Sequence, residues 1–307
     1  MKILAIGSRG QLGWELSKQE KHSNFEILAV DLPELDITNT AQIENIFALF
    51  KPSIVINAAA YTNVDKAETD HGLAFAVNKD GPANLAKVCA KTNAPLIHIS
   101  TDFVFDGNRT VPYNELDPVS PLSIYGKSKA DGENEVRIQL KEHIILRTSW
   151  LYGIHGHNFV KNMLRLGREK KFIKVVDDQY GSPTCAADLS ETIWAIVSYI
   201  RNGSEVDWGT YHYCGEGITT WYRFAVEIFE TASRYGLIKT PKIIPITTAE
   251  YPTPAKRPAF SALACRLIKN KFGINTKPWQ ESLKITIERI MSNSEGHFSD
   301  FLRNYQF

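Results

Sequence analysis

Five short, almost uninterrupted apolar runs punctuate the first half of the chain, at Ile3–Ile6, Glu26–Val30, Ser53–Asn57, Pro95–Ser100 and Ile144–Thr148. A strand with one wet face alternates apolar and polar residues; a continuous run marks a parallel strand covered on both faces. Between the runs, apolar residues at helical spacing predict helices near Gln11–Gln19, Thr40–Phe50, Leu73–Lys91 and Pro121–Leu140. Strand and helix in repeated alternation predict an α/β fold built on a doubly wound parallel sheet.

The second half is less regular. Helical spacing recurs at Asn158–Glu169, Ala186–Ile200 and Trp221–Tyr235, and strand patterns at Phe172–Val176 and Tyr211–Cys214. Five prolines between Pro241 and Pro258 predict a loop-rich stretch there. The expected division is a dinucleotide-binding domain over 1–150 and 172–215. A smaller, mostly C-terminal substrate domain takes 151–171 and 216–307.

The sequence has 307 residues, 43% of them hydrophobic and 22% charged, so a core needs no disulfide or metal to support it. A net charge of +1 gives no bulk attraction for nucleic acid or an anionic membrane. Cys89, Cys185, Cys214 and Cys265 are far apart in sequence and form no CxxC pair, so ordinary buried thiols are expected, with no disulfide or zinc. No apolar run approaches membrane-spanning length, and no secretory leader pattern opens the chain. A cytoplasmic location is expected.

The first strand runs directly into Gly7-Ser-Arg-Gly-Gln-Leu-Gly13, which opens the first helix. This GxxGxxG loop departs from the commoner GxGxxG spacing, but its physics is that of a Rossmann-type dinucleotide site. One glycine makes the tight turn, one lets backbone approach a pyrophosphate, and one lets helix and strand pack closely. Asp31 ends the second strand, where a carboxylate bonds the adenosine ribose of NAD(H). Arg9 favours the 2′-phosphate of NADP(H) instead, so the choice between NADH and NADPH stays open. Asp36 either faces the adenine or caps the following helix.

Tyr125-Gly-Lys-Ser-Lys129 places a phenol and an ammonium four residues apart, on one face of a helix. A nearby cation stabilises a phenolate, which makes a tyrosine useful as an acid–base group. The fourth strand ends in Ser100-Thr101-Asp102, and the third in Asn57 followed by Ala58, Ala59 and Ala60. Ligands of open α/β sheets bind at these carboxyl ends. Tyr61-Thr62-Asn63-Val64-Asp65 then either contacts substrate or caps the next helix.

Together these residues resemble the extended short-chain dehydrogenase/reductases, and within them the dTDP-4-dehydrorhamnose reductase group. The resembling stretches are the glycine loop, Asn57–Glu68, Ser100–Gly107, Tyr125–Lys129 with Gly132-Glu133, Leu146–Gly153, Asp178–Thr184, and Arg257-Pro258 with Ser261. They follow family order from residue 7 to residue 261. The resemblance implies reduction of the C4 keto group of dTDP-4-dehydrorhamnose with NADPH or NADH, giving dTDP-L-rhamnose. Tyr125 is then the proton donor, Lys129 tunes it and holds the nicotinamide ribose, and Thr101 with Asp102 orients the sugar. Thr62, Val64 and Trp150 line the sugar pocket, and Arg257 lies near the diphosphate. Gly7, Arg9, Gly10, Gln11, Leu12, Gly13, Asp31, Asp36, Ala58, Ala59, Ala60 and Lys129 form the cofactor set. Some relatives hold Mg2+ through glutamates at a dimer contact; no matching cluster stands in this sequence, so no metal ligands are assigned and Mg2+ stays open. Family precedent implies a homodimer or a monomer.

Two other readings of the same scaffold are another nucleotide-sugar ketoreductase or epimerase, and a catalytically silent regulatory subunit. A silent copy has no chemical reason to retain Thr101, Tyr125 and Lys129 together. The basic cluster of Arg165, Arg168, Lys170, Lys171 and Lys174 reads as an exposed helix end, where cations meet a favourable dipole, and not as a nucleic-acid site.

Overall fold

A computed structural model describes residues 1–18, 24–235 and 241–292. Its strands, in chain order, are β1 (Lys2–Ile6), β2 (Glu26–Val30), β3 (Ile54–Asn57), β4 (Leu96–Thr101), β5 (His143–Thr148), β6 (Leu151–Tyr152), β7 (Phe172–Val176), β8 (Tyr180–Gly181), β9 (Thr184–Cys185), β10 (Gly209–His212), β11 (Thr219–Thr220) and β12 (Lys242–Ile246). Six of them form the central sheet in the order β10-β5-β4-β3-β1-β2, every neighbouring pair parallel. The five apolar runs of the first half are all present as strands. From β1 the chain goes outward to β2, then returns to the other side of β1 for β3. That reversal opens a crevice at the carboxyl ends of β1 and β3.

The helices are α1 (Gln11–Leu16), α2 (Thr40–Phe50), α3 (Val64–Ala67), α4 (His71–Phe75), α5 (Gly81–Thr92), α6 (Ile124–Gln139), α7 (Phe159–Glu169), α8 (Ala186–Arg201), α9 (Trp221–Ser233), α10 (Arg266–Phe272) and α11 (Trp279–Ser292). Ile43, Leu85 and Val136 of α2, α5 and α6 cover one sheet face with a common apolar layer. Leu12, Ile193 and Ile268 of α1, α8 and α10 cover the other. Coverage on both sides is why the strands lack alternation. A separate core gathers Leu164, Ile173, Phe224, Phe229 and Leu283 from α7, β7, α9 and α11.

The structure departs from the sequence expectations at several places. The single helix expected over Leu73–Lys91 is three pieces: α4, a π-helical turn over Ala76–Asp80, and α5. Phe172–Val176, expected with the dinucleotide domain, does not join the central sheet; it pairs in parallel with β12 and faces the second core. Its buried and exposed residues alternate, the pattern of a strand with one wet face. The proline-rich stretch holds that partner strand, because Pro245 lies in a pair that has, among the described residues, no further neighbour to need its missing N–H. The expected strand at Tyr211–Cys214 begins two residues earlier, as β10. Cys214 and Cys265, distant in sequence, bring their free thiols to 3.5 Å. Gln19, the expected end of the first helix, and 293–307 of the expected C-terminal domain lie outside the described residues.

Candidate active site

A cavity of about 610 Å3 fills the crevice at the sheet's switch point. The glycine loop forms its floor. Gly7 has φ +87°, a left-handed conformation, and a Cβ there would lie 2.6 Å from Ala59 N. A Cβ on Gly13 would lie 1.9 Å from Gly7 O, so that glycine lets α1 seat on its own loop. Gly10 precedes α1 and no side chain caps the helix, which leaves the first-turn N–H groups of α1 for a ligand. Gln11, Leu12, Asp31, Asp36, Ala58, Ala59 and Ala60 complete this end of the cavity.

Two cofactor candidates take more specific positions than the sequence suggests. Asp31 Oδ2 accepts Arg9 N–H at 2.8 Å and Oδ1 accepts Leu32 N–H at 2.8 Å, so the carboxylate also ties β2 to the glycine loop. The Arg9 guanidinium lies outside the cavity wall, paired with Glu34 at 2.9 Å. Asp36 does not cap the helix that follows it. It lines the cavity while Oδ1 accepts from Thr38 N and Oγ1, and the cap of α2 is Asn39.

At the other end of the cavity stand Thr62, Val64, Thr101, Asp102, Tyr125, Lys129 and Trp150. Ser123 caps α6 by accepting from Gly126 N, which fixes Tyr125 in the first turn and Lys129 one turn on. Tyr125 packs edge-on against Phe103, with the Thr101 hydroxyl close to its phenol. Burial pushes its phenol up to about 12; the Thr101 hydroxyl opposes this, and the charge of Asp102 adds to it. The Lys129 ammonium donates to Ile99 O at 2.6 Å rather than to the phenol. Burial lowers Lys129 to about 8 against the attraction of Glu133. Burial also raises Asp102 to about 6 despite help from Ser261 and Thr101. Asp102 Oδ2 and Thr148 Oγ1 are buried without a full hydrogen bond and line the same space. Unsatisfied buried oxygens at a cavity wall are groups that a polar ligand can satisfy.

Arg257 lies elsewhere than the first cavity. It lines an adjoining space of about 250 Å3 with Gln179, Tyr251, Thr253 and Ser261, joined to the first at Phe103, Trp150 and Trp221. Asp65 holds its guanidinium with two bonds, of 2.8 and 3.1 Å. Lys174, grouped by sequence with an exposed helix end, also lines this space; Arg165 does pair along α7 with Glu169.

One positioning residue, Asn78, was not singled out in the sequence, and others take roles more specific than the sequence suggests. Asn78, in the π-helical turn, bonds Tyr61 N, Tyr61 O and Ser128 Oγ, so it staples the Thr62 loop to α6. Gly132 allows that approach, since a Cβ there would lie 2.0 Å from Asn78 O. Trp150 has φ +46° and stacks on Trp221 with ring centroids 3.6 Å apart. Gly181 makes room for its indole; a Cβ there would lie 2.5 Å from Trp150 Cε2. The fully buried Glu133 continues the Tyr125–Lys129 face by one more turn, a periodicity visible in the sequence.

Among the described residues, no helix is long and apolar enough to cross a membrane, and no group of three or more His, Cys, Asp or Glu is placed to hold a metal ion. A family model described as the RmlD substrate binding domain matches residues 1–292. A curated dTDP-4-dehydrorhamnose reductase from Aggregatibacter actinomycetemcomitans is 44% identical over 92% of this chain and 97% of its own. The crystal structure of a dTDP-4-dehydrorhamnose reductase from Clostridium acetobutylicum superposes with a TM-score of 0.88 at 43% identity, covering 95% of this chain and all of that one. One from Bacillus anthracis, solved in complex with NADP, gives 0.87 at 37% identity, covering 94% and 99%. With a matching family model over nearly the whole chain and relatives of this identity across it, the protein belongs to the RmlD family of dTDP-4-dehydrorhamnose reductases.

Proposed function

We propose that this protein is an NAD(P)H-dependent oxidoreductase that reduces the C4 keto group of dTDP-4-dehydrorhamnose (dTDP-4-dehydro-6-deoxy-L-mannose) to dTDP-L-rhamnose, a precursor for polysaccharide. The observation that carries this reading is one continuous cavity that joins the Gly7 loop to Thr101, Asp102, Tyr125 and Lys129. The residues fit a dinucleotide. A Cβ at Gly7 would strike the Ala58–Ala59 backbone, so this glycine lets the loop close against that wall, and Gly10, Gln11, Leu12 and Gly13 line the cavity beside it. Asp31 and Asp36 bound the adenosine end, with Arg9 just outside, and Ala58, Ala59 and Ala60 form the wall between the ends. The nicotinamide, when bound, supplies the hydride.

The chain's own groups do the rest. Burial keeps the Tyr125 phenol protonated at neutral pH, which suits a group that must give a proton to the sugar O4. The Thr101 hydroxyl stands beside that phenol. Asp102, which lines the cavity and has a buried oxygen without a partner, accepts a sugar hydroxyl, and Lys129 grips the ribose beside Tyr125. Thr62, Val64 and Trp150 shape the sugar site, and Arg257 faces the nucleotide end through the adjoining space. In this reading residues 1–150 and 186–215 hold the cofactor and the remainder holds substrate; a cytoplasmic location and a homodimer belong to the same proposal. Purified protein with dTDP-4-dehydrorhamnose should oxidise NADH or NADPH and yield dTDP-L-rhamnose. No cofactor oxidation sinks the proposal, and a 4-epimeric product reassigns the sugar face. Solution mass tests the dimer.

A further inference from the structure

Behind Lys129, on the side away from the cavity, lies a fully buried histidine. His98 sits in the middle of β4, in register with Asn57 of β3. Its Nδ1 is 3.1 Å from Asn57 Nδ2, and its Nε2 is 3.5 Å from Lys129 Nζ. The orientation of Asn57 follows from a backbone group: Asn57 Oδ1 accepts Ala59 N–H at 3.1 Å, and an amide N–H can only donate. The side-chain NH2 of Asn57 therefore faces His98 and donates to Nδ1. A neutral imidazole carries one proton, so that proton is on Nε2, pointing at Lys129.

We propose that Asn57 and His98 form a positioning pair that lowers the proton affinity of Lys129, by aiming an N–H dipole at its amine. The inference rests on the reductase reading above. An N–H directed at an ammonium is repulsive, whereas the same N–H donates to a neutral amine, so the pair favours the uncharged form. The other groups around Lys129 are Tyr125 and Glu133 on α6, Arg137 further along it, Asp102 beyond β4, and His143 and Arg147 on β5. Glu133 alone attracts the ammonium strongly, and Arg147 and Arg137 already claim its carboxylate. His98 itself stays neutral: burial disfavours its cation, and Lys129, His143 and Arg137 oppose it further. Lys129 is thus held to β4 by Ile99 O, with the His98 Nε2–H 3.5 Å from the same nitrogen.

Two measurements test this. The first is 15N NMR of the imidazole in the unliganded full-length protein, between about pH 6 and about pH 8, a range that spans an ordinary histidine's titration. His98 is expected to stay neutral with its proton on Nε2; an Nδ1–H tautomer or an imidazolium overturns the proposal. The second is the pH dependence of turnover in His98→Gln, whose amide oxygen can turn to the ammonium. Its alkaline limb should move up by about one pH unit, a tenfold gain in the proton affinity of Lys129. An active His98→Gln enzyme with an unmoved limb also overturns it. A wild-type protein that turns over no keto sugar sinks the reductase reading instead, and the NMR result still decides this one. The same holds if the variant does not fold.

Discussion

Glu133 and Arg147 meet fully buried behind the site, Arg147 Nε on Oε1 at 2.8 Å and Nη2 on Oε2 at 2.6 Å. Ser100 Oγ donates to the same carboxylate at 2.6 Å and Arg137 adds a second guanidinium, so α6, β4 and β5 are tied at one point. Burial alone pushes the Glu133 carboxyl up, but the bond and charge of Arg147, with Arg137 and Ser100, outweigh it and hold the group below its ordinary range. A depressed folded pKa contributes stability above the unfolded value near 4.3 that is lost as pH falls through the folded one. Arg147→Met leaves that carboxylate short of partners and should cost about 3–5 kcal/mol in denaturant unfolding, the scale for one partner lost from a buried pair. A loss under about 1 kcal/mol, the scale of a surface pair, contradicts this account.

Tyr125→Phe removes only the phenolic oxygen from a ring that packs on Phe103. Turnover should fall by about 10²–10⁴-fold, the usual contribution of a positioned acid. Cofactor affinity, read by fluorescence titration, should stay within a few-fold. Near-full turnover in this variant removes Tyr125 from the chemistry.

Cofactor choice should follow Arg9 and Glu34. Their pair is exposed, and exposed pairs are worth about 0–1 kcal/mol, so a 2′-phosphate can recruit the guanidinium at little cost. Asp31 meanwhile offers its carboxylate to a free ribose. Both nicotinamides should therefore serve, with NADH ahead. Arg9→Ala should lower kcat/KM for NADPH by about tenfold, a loss of roughly one charge-assisted bond, and leave NADH within twofold. Glu34→Gln should raise NADPH use. Equal effects on the two cofactors would falsify this assignment.

Gly181→Ala tests a contact between motifs distant in sequence. The new Cβ meets the Trp150 indole, a rigid ring already held at positive φ and stacked on Trp221. Trp150 must move, so KM for the sugar nucleotide should rise by about tenfold or more, as expected when a positioning group shifts by around an ångström. An unchanged KM would take Trp150 out of the sugar site.

The central sheet was legible because both faces are covered, and continuous apolar runs are the signature of that burial. The Gly7 loop and the Tyr125–Lys129 pair were legible because each is local, set by spacing within seven residues. What escaped depends on contacts between distant segments. The π-helical turn at Asn78 forms because Asn78 reaches Tyr61 and Ser128, which no helical periodicity encodes. Strand β12 forms although its sequence carries Pro245, because it pairs with β7. His98 reads as one more residue of a buried strand until Asn57 and Lys129 are seen on either side of it.

Asp102 sets function against stability, and the sign of the effect can be worked out. Burial raises its folded pKa to about 6 from an ordinary value of 3.8. Between those values the folded state binds more protons than the unfolded one, so stability rises as pH falls through about 6 towards 3.8. At neutral pH the buried carboxylate is charged and destabilising, by about 3 kcal/mol if the full shift is converted. Asp102→Asn keeps the shape and removes the charge. It should therefore unfold at higher denaturant concentration than wild type at pH 7, and the advantage should vanish by about pH 4, where both proteins carry a neutral group. The same variant should lose sugar affinity, because Oδ2 is the unpartnered acceptor of a residue that lines the cavity. A gain in stability with unchanged KM separates the two effects and moves the sugar contact to another group, whereas a loss of stability at pH 7 shows that the carboxylate is better solvated in the fold than its burial implies.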